Sequence, residues 1–222
     1  MPKTLVAFGC SWTYGDELLD PNIKSGENCS SRHNEQYRND HCFAGLVAKH
    51  YNLDFINTAS PGGSLESTRY ALYYILQNYC PEDLIFVVGL TNSIRQSWFD
   101  ASSNSDNKWD RFVHNTSIGW PTNPSTDWEK LNYHWYSKCN CPDQELYNIH
   151  LTLGYFNGSG VPTVFVPVFD DLPELKGKNI CNFVLENILD STDLEQNKHP
   201  NETGHQKISK RLIEYIDSVK LI

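Results

Sequence analysis

The sequence predicts an α/β protein, a parallel sheet covered by helices on both faces. Three observations carry that expectation. Short apolar runs alternate with stretches of helical period from the N-terminus to the last residues. The run Leu84-Ile85-Phe86-Val87-Val88-Gly89 is apolar without alternation, as in a strand buried on both faces. Strand ends are followed by small polar residues, and a parallel sheet opens its crevices at the carboxyl ends of its strands.

Taken in order, Leu5 to Phe8 is an apolar run of strand length closed by Gly9, with Ser11 two residues on, where the chain must leave the sheet. Residues 16–41 are polar, rich in Asn, Ser, Glu and Arg, and without period; they read as a long loop. Phe43, Leu46, Val47 and His50 have helical spacing, and Leu53 to Asn57 reads as a second strand. In Ala59-Ser60-Pro61-Gly62-Gly63-Ser64, proline and paired glycines force a turn, and Ser64 with Ser67 makes an N-cap region. Leu65, Thr68, Leu72, Ile75, Leu76 and Tyr79 mark one helix face, which stops at Cys80-Pro81.

The strand 84–89 exits through Leu90-Thr91-Asn92-Ser93. Residues 96–141 interrupt the alternation and hold five of the six tryptophans, so they read as a tryptophan-rich cap or insertion within one domain spanning 1–222. Residues 142–156 return to helical spacing, Val161 to Phe169 make the fourth strand, a short helix spans 182–189, and Ile208, Leu212, Tyr215, Ile216 and Val219 line a closing amphipathic helix. Right-handed crossovers turn this order into a parallel sheet with helices on both sides.

An excess of 27 acidic over 18 basic residues, net charge −9, argues against a general affinity for nucleic acid or an anionic membrane and favours neutral or weakly charged small-molecule partners. No apolar run reaches the length of a bilayer span and no leader-like segment opens the chain, so the expected compartment is the cytoplasm. Seven scattered cysteines do not form a disulfide framework and are read mainly as free thiols. Two sets, Cys29, His33, His41 and Cys42, and His134, Cys139 and Cys141, lack paired metal-ligand spacing, so no metal or other cofactor is expected.

Four motifs come in a telling order: Gly9-Cys10-Ser11 after the first strand, the turn from Asn57 to Gly62 after the second, Gly89-Leu90-Thr91-Asn92 after the third, and His199-Pro200-Asn201 before the last helix. In this the chain resembles the SGNH (GDSL-like) hydrolase superfamily of esterases, lipases and carbohydrate deacetylases, on a three-layer flavodoxin-like sheet. The resemblance implies Ser11 as nucleophile, His199 as base, and an oxyanion hole from Ser11, Gly62 and Asn92, with Thr91 as the alternate to Asn92. It implies a small ester or an acetylated glycan as substrate. Trp12, beside the serine, and Trp98, in the insertion, are the aromatic residues expected to bind it.

The chemistry has its own reasons. A serine hydroxyl is a poor nucleophile at neutral pH, and imidazole is the usual base that activates it. Backbone N–H groups and a side-chain amide can be aimed at the oxygen that becomes negative during acyl transfer. Two positions depart from the family pattern: Cys10 stands where the family has aspartate, and Gln196 stands three residues before His199, where the orienting carboxylate belongs. Gln196 itself and Asp193 are the candidate orienters, with Glu195 a neighbour of the same kind. His205 is a second candidate base. The competing reading is a catalytically weak or silent carbohydrate-binding protein that uses the same fold and its tryptophan-rich insertion.

Overall fold

Every residue of the first strand is needed on one side of the sheet or the other, and that requirement sets the layering. A computed structural model describes residues 3–23, 32–91, 96–99, 112–115, 142–169, 179–195 and 197–222. The strands are β1 (Thr4–Phe8), β2 (Asp54–Asn57), β3 (Leu84–Leu90), β4 (Gln96–Phe99), β5 (Phe112–Asn115) and β6 (Thr163–Pro167). The helices are α1 (Ser11–Tyr14), α2 (Glu35–His41), α3 (Phe43–His50), α4 (Leu65–Asn78), α5 (Pro142–Gly158) and α6 (Glu202–Val219).

Four strands form a parallel sheet in the order β2-β1-β3-β6, with Ala7 of β1 opposite Asn57 on one side and Val87 on the other. Side chains alternate along a strand, so Leu5 and Ala7 of β1 enter one core and Val6 and Phe8 the other. The first core gathers Phe43 and Val47 of α3 with Ile208, Leu212 and Ile216 of α6; the second gathers Leu65, Leu72 and Ile75 of α4 with Ile149, Leu153 and Phe156 of α5. Two cores on opposite faces of one parallel sheet are the three expected layers. Phe156 holds the second core at its centre through edge-on contacts with Phe8 and Phe86.

The chain leaves β1 for β2 on one side and later enters β3 on the other. The carboxyl end of β1 is therefore the point where the winding of the sheet reverses, and a crevice opens there between the helices of the two layers. At this end the backbones of β1 and β3 are closely spanned by one side chain. A Cβ on Gly9 would lie 2.5 Å from Thr13 Oγ1, and one on Gly89 would lie 2.2 Å from the same atom. Gly9 also has φ +147°, outside the range of ordinary residues.

The segment 16–41, expected as a loop, contains a single 3-10 turn (Arg32–Asn34) and the helix α2 among its described residues. The period was invisible because α2 is anchored by polar groups rather than by an apolar stripe. Arg38 is buried with its guanidinium 4.0 Å from the centre of the Tyr14 ring, and the buried Asn34 donates to Leu18 O at 2.6 Å and accepts from Asp20 N at 2.9 Å. The short helix expected over 182–189 is one 3-10 turn, Glu186–Ile188. Within 96–141, β4 and β5 pair antiparallel, Gln96 opposite Asn115 and Phe99 opposite Phe112; the rest of that segment lies outside the described residues. Among the described residues no helix is long and apolar enough to cross a membrane.

Replacing Gly9 with alanine sets a Cβ against Thr13 in a backbone conformation that alanine resists. A loss of about 2 kcal/mol or more is expected, read as a lower urea midpoint with an unchanged slope.

Candidate active site

Ser11 begins α1, directly beyond β1. Its backbone N–H, at the first helical position, has no acceptor within the helix. Its carbonyl accepts from the N–H groups of Gly15 at 3.1 Å and Asp16 at 3.0 Å, which closes the single turn. Cys10 before it is fully buried in the first core, where a thiol packs as a small apolar group and an aspartate would need a charge partner. Asn57, at the end of β2, donates to Tyr14 O at 3.1 Å and so ties the serine's turn to the neighbouring strand.

The turn after β2 docks on the same place. Gly63 N–H closes onto Ser60 O at 2.9 Å, with Pro61 and Gly62 between them and Gly62 at φ +72°. Proline second and a positive-φ glycine third is what such a turn demands. Ser60 N–H then donates to Gly9 O at 3.2 Å, and a Cβ on Gly63 would stand 2.6 Å from that oxygen, so the turn that holds Gly62 is seated on the residue two before Ser11. Thr91, just past β3, is buried, and its hydroxyl has no partner among the described residues. Asn92 lies outside the described residues.

His199 arrives from the far end of the chain. Its Nε2 is 2.9 Å from Ser11 Oγ, between residues 188 positions apart. The loop that carries it is clamped at both ends: Glu195 N–H donates to His199 O at 2.8 Å, Asn201 N–H to Asp193 O at 2.8 Å, and the Asn201 side chain caps α6 at Gly204 N. Gly204 is required there because a Cβ would stand 2.5 Å from Asp193 O.

Asp193 is not beside the imidazole. Its carboxylate accepts from Asp190 N–H at 2.9 Å and from Lys207 Nζ at 2.6 Å, so this fully buried acid shapes the loop instead of facing His199. Gln196 lies outside the described residues. The acid beside the imidazole is Glu17, whose Oε1 is 3.8 Å from His199 Nδ1. Sequence reasoning missed it because the segment after Ser11 was read only as loop; the available signal was an acidic pair, Asp16-Glu17, one turn beyond the serine.

Trp12, expected to bind substrate, is instead buried in the first core with its ring edge-on to Phe169, because the residue after Ser11 on α1 turns inward. The Trp98 side chain is outside what the structure describes. His205 is not within the site's hydrogen-bonded pair. It is fully buried on α6, its Nδ1 accepts from Phe43 N–H at 3.1 Å, and its ring stacks on Phe43, so it caps the start of α3. Burial, with a smaller contribution from His199, pushes its pKa down to about 3 and keeps it neutral.

No protein-family model matches the chain, and no curated protein matches it by sequence. Its fold, however, is that of the SGNH hydrolases. It is similar to a protein assigned to the G-D-S-L lipolytic family from Desulfitobacterium hafniense DCB-2, at 9% identity over 96% of this chain and 99% of that one, TM-score 0.52. It is similar also to the psychrotrophic esterase EstA from Pseudoalteromonas sp., known in a form inhibited by monoethylphosphonate, at 10% identity over 97% of each chain, TM-score 0.55. A third likeness is to a carbohydrate esterase described as having divergent catalytic and non-catalytic binding functions in its active site, at 15% identity over 97% of this chain and 68% of that one, TM-score 0.50.

The buried neutral His205 makes a testable contribution to stability. Its folded pKa lies below the ordinary value of 6.5, so between the two the unfolded chain binds the extra proton. Stability from this group is whole above that ordinary value and is lost as pH falls toward about 3. The drop in urea midpoint between pH 7 and pH 4 is expected to be smaller in His205→Asn, whose amide oxygen can still accept from Phe43, than in the parent protein.

Proposed function

We propose that the protein is a serine hydrolase of the SGNH type that cleaves an ester, either an O-acetylated sugar or another small ester. The observation that carries this reading is the 2.9 Å approach of His199 Nε2 to Ser11 Oγ at the carboxyl end of β1. A fold shared with esterases supports it, and so does the seating of the Pro61-Gly62 turn on Gly9 O, two residues before Ser11.

In this mechanism Ser11 Oγ attacks the acyl carbon while His199 Nε2 takes its proton. The carbonyl oxygen becomes negative and is met by the N–H groups of Ser11 and Gly62, with the Asn92 amide or the Thr91 hydroxyl as the third donor. The tetrahedral adduct collapses as His199 returns the proton to the leaving alcohol. Water, deprotonated by the same imidazole, then attacks the acyl-enzyme and releases the acid and free Ser11. No step calls for a metal or an organic cofactor.

A second reading is a silent glycan-binding protein, motivated by the tryptophan-rich segment 96–141. One variant separates the two. Ser11→Ala is expected to lose p-nitrophenyl acetate turnover by on the order of 10⁶-fold and to escape labelling by a fluorophosphonate. Equal turnover by parent and variant would refute the esterase reading; glycan binding that survives in both, with no turnover in either, would establish the second.

A further inference from the structure

We propose that Glu17 is the carboxylate that positions His199, taking the part that the chain leaves to an uncharged Gln196. The inference rests on the esterase reading of Ser11 and His199. His199 Nδ1 is buried and without a hydrogen-bond partner among the described residues, and so is Oε2 of Glu17. These two half-buried side chains face one another, Oε1 of Glu17 standing 3.8 Å from Nδ1. An approach of about 1 Å, within the ordinary motion of two loop side chains, turns that ion-pair distance into a hydrogen bond in the free protein.

The other acids near His199 in sequence are turned elsewhere. Asp193 is held by Lys207 and by Asp190 N–H, and the Glu195 side chain is exposed. Glu17, by contrast, is built into place. Its φ is +70°, a left-handed conformation that costs a non-glycine residue about 1 kcal/mol and persists only where the surroundings enforce it. Here they do. Gly15 at φ +82° is pressed so closely by Cys42, Arg38 and Leu18 that a Cβ would come within 2.8–3.0 Å of each, and Leu18 O is held by Asn34. The Asn197 side-chain amide donates to Glu17 Oε1, which clips the histidine's loop to the serine's loop.

Glu17 acts through the histidine. With Nδ1–H directed at the carboxylate, Nε2 is left free to accept from Ser11, and the carboxylate's charge stabilises the imidazolium formed when Nε2 takes the proton. The third member of the site therefore comes from the loop of the nucleophile and not from the loop of the base.

The test compares the parent protein with Glu17→Gln, Glu17→Asp and Glu195→Gln. In Glu17→Gln, kcat for p-nitrophenyl acetate should fall by about 10³–10⁴-fold with KM within about threefold; Glu17→Asp, which keeps the charge, should recover part of the loss, and Glu195→Gln none of it should suffer. Unchanged kcat in Glu17→Gln, or a loss that appears in Glu195→Gln instead, overturns the proposal. A second readout does not depend on turnover. In protein carrying ¹⁵N-labelled histidine, the His199 Nδ1 proton should resonate downfield in the parent and in Ser11→Ala and lose that shift in Glu17→Gln. An identical resonance in Glu17→Gln overturns the role of Glu17 even if the parent cleaves no ester, whereas absent turnover with the expected resonance shift counts against the esterase reading alone.

Discussion

The hydrogen-bond contact between Ser11 and His199 depends on two loops from opposite ends of the chain meeting over one strand end. Most of the architecture can be understood as what that meeting requires. The sheet order β2-β1-β3-β6 puts β1 inside the sheet, so its carboxyl end faces the crevice and not an edge. The core shared by β1, α3 and α6 then fixes where α6 begins, and the loop before α6 ends over Ser11. Side chains from two loops separated by most of the sequence are held within contact distance because the apolar layers beneath them are close-packed and cannot slide.

A layer of polar contacts lies above those cores and does the finer positioning. Asn57 secures α1, Asn34 secures the chain at Leu18, Arg38 lies against Tyr14, and Asp193 with Asn201 secures the histidine's loop. Each contact joins buried or half-buried groups, so displacement costs a pairing that water does not readily replace there. That cost makes such contacts directional where hydrophobic packing is not. Two buried atoms near the strand ends, His199 Nδ1 and Thr91 Oγ1, are without a partner among the described residues, as are others elsewhere such as Thr68 Oγ1 and His205 Nε2.

Much of the fold was legible in the sequence. β3 was clear because an unbroken apolar run has one ordinary use in a chain of this class. α4 was clear at both ends, since its Ser64–Ser67 capping box and the Cys80-Pro81 stop are local chemistry. Ser11, Gly62 and His199 were singled out as candidates by their order along the chain, and the structure brings the serine and histidine together and sets the glycine's turn on Gly9 O. α2 was missed because Arg38 and Asn34 are buried by pairing and stacking, which leaves no apolar period to read. Trp12 was misread because exposure of a residue beside a nucleophile depends on which way one helical turn faces.

The class of fold and the strand ends at which chemistry could sit were readable from the chain alone, while Ser11 and His199 were candidates that the resemblance in motif order implied. The fold class and the strand ends follow from local preferences and from periodicity, which act over a few residues and are written in the order of the chain. Which acid stands behind the histidine was decided only by the tertiary structure. Asp193 is close to His199 in sequence yet is turned to Lys207, while Glu17, 182 positions away, stands beside the imidazole. The reason is physical: a carboxylate goes to whichever positive or donating group the packed layers bring within reach, and electrostatic contact is a matter of distance in space, to which separation along the chain contributes nothing.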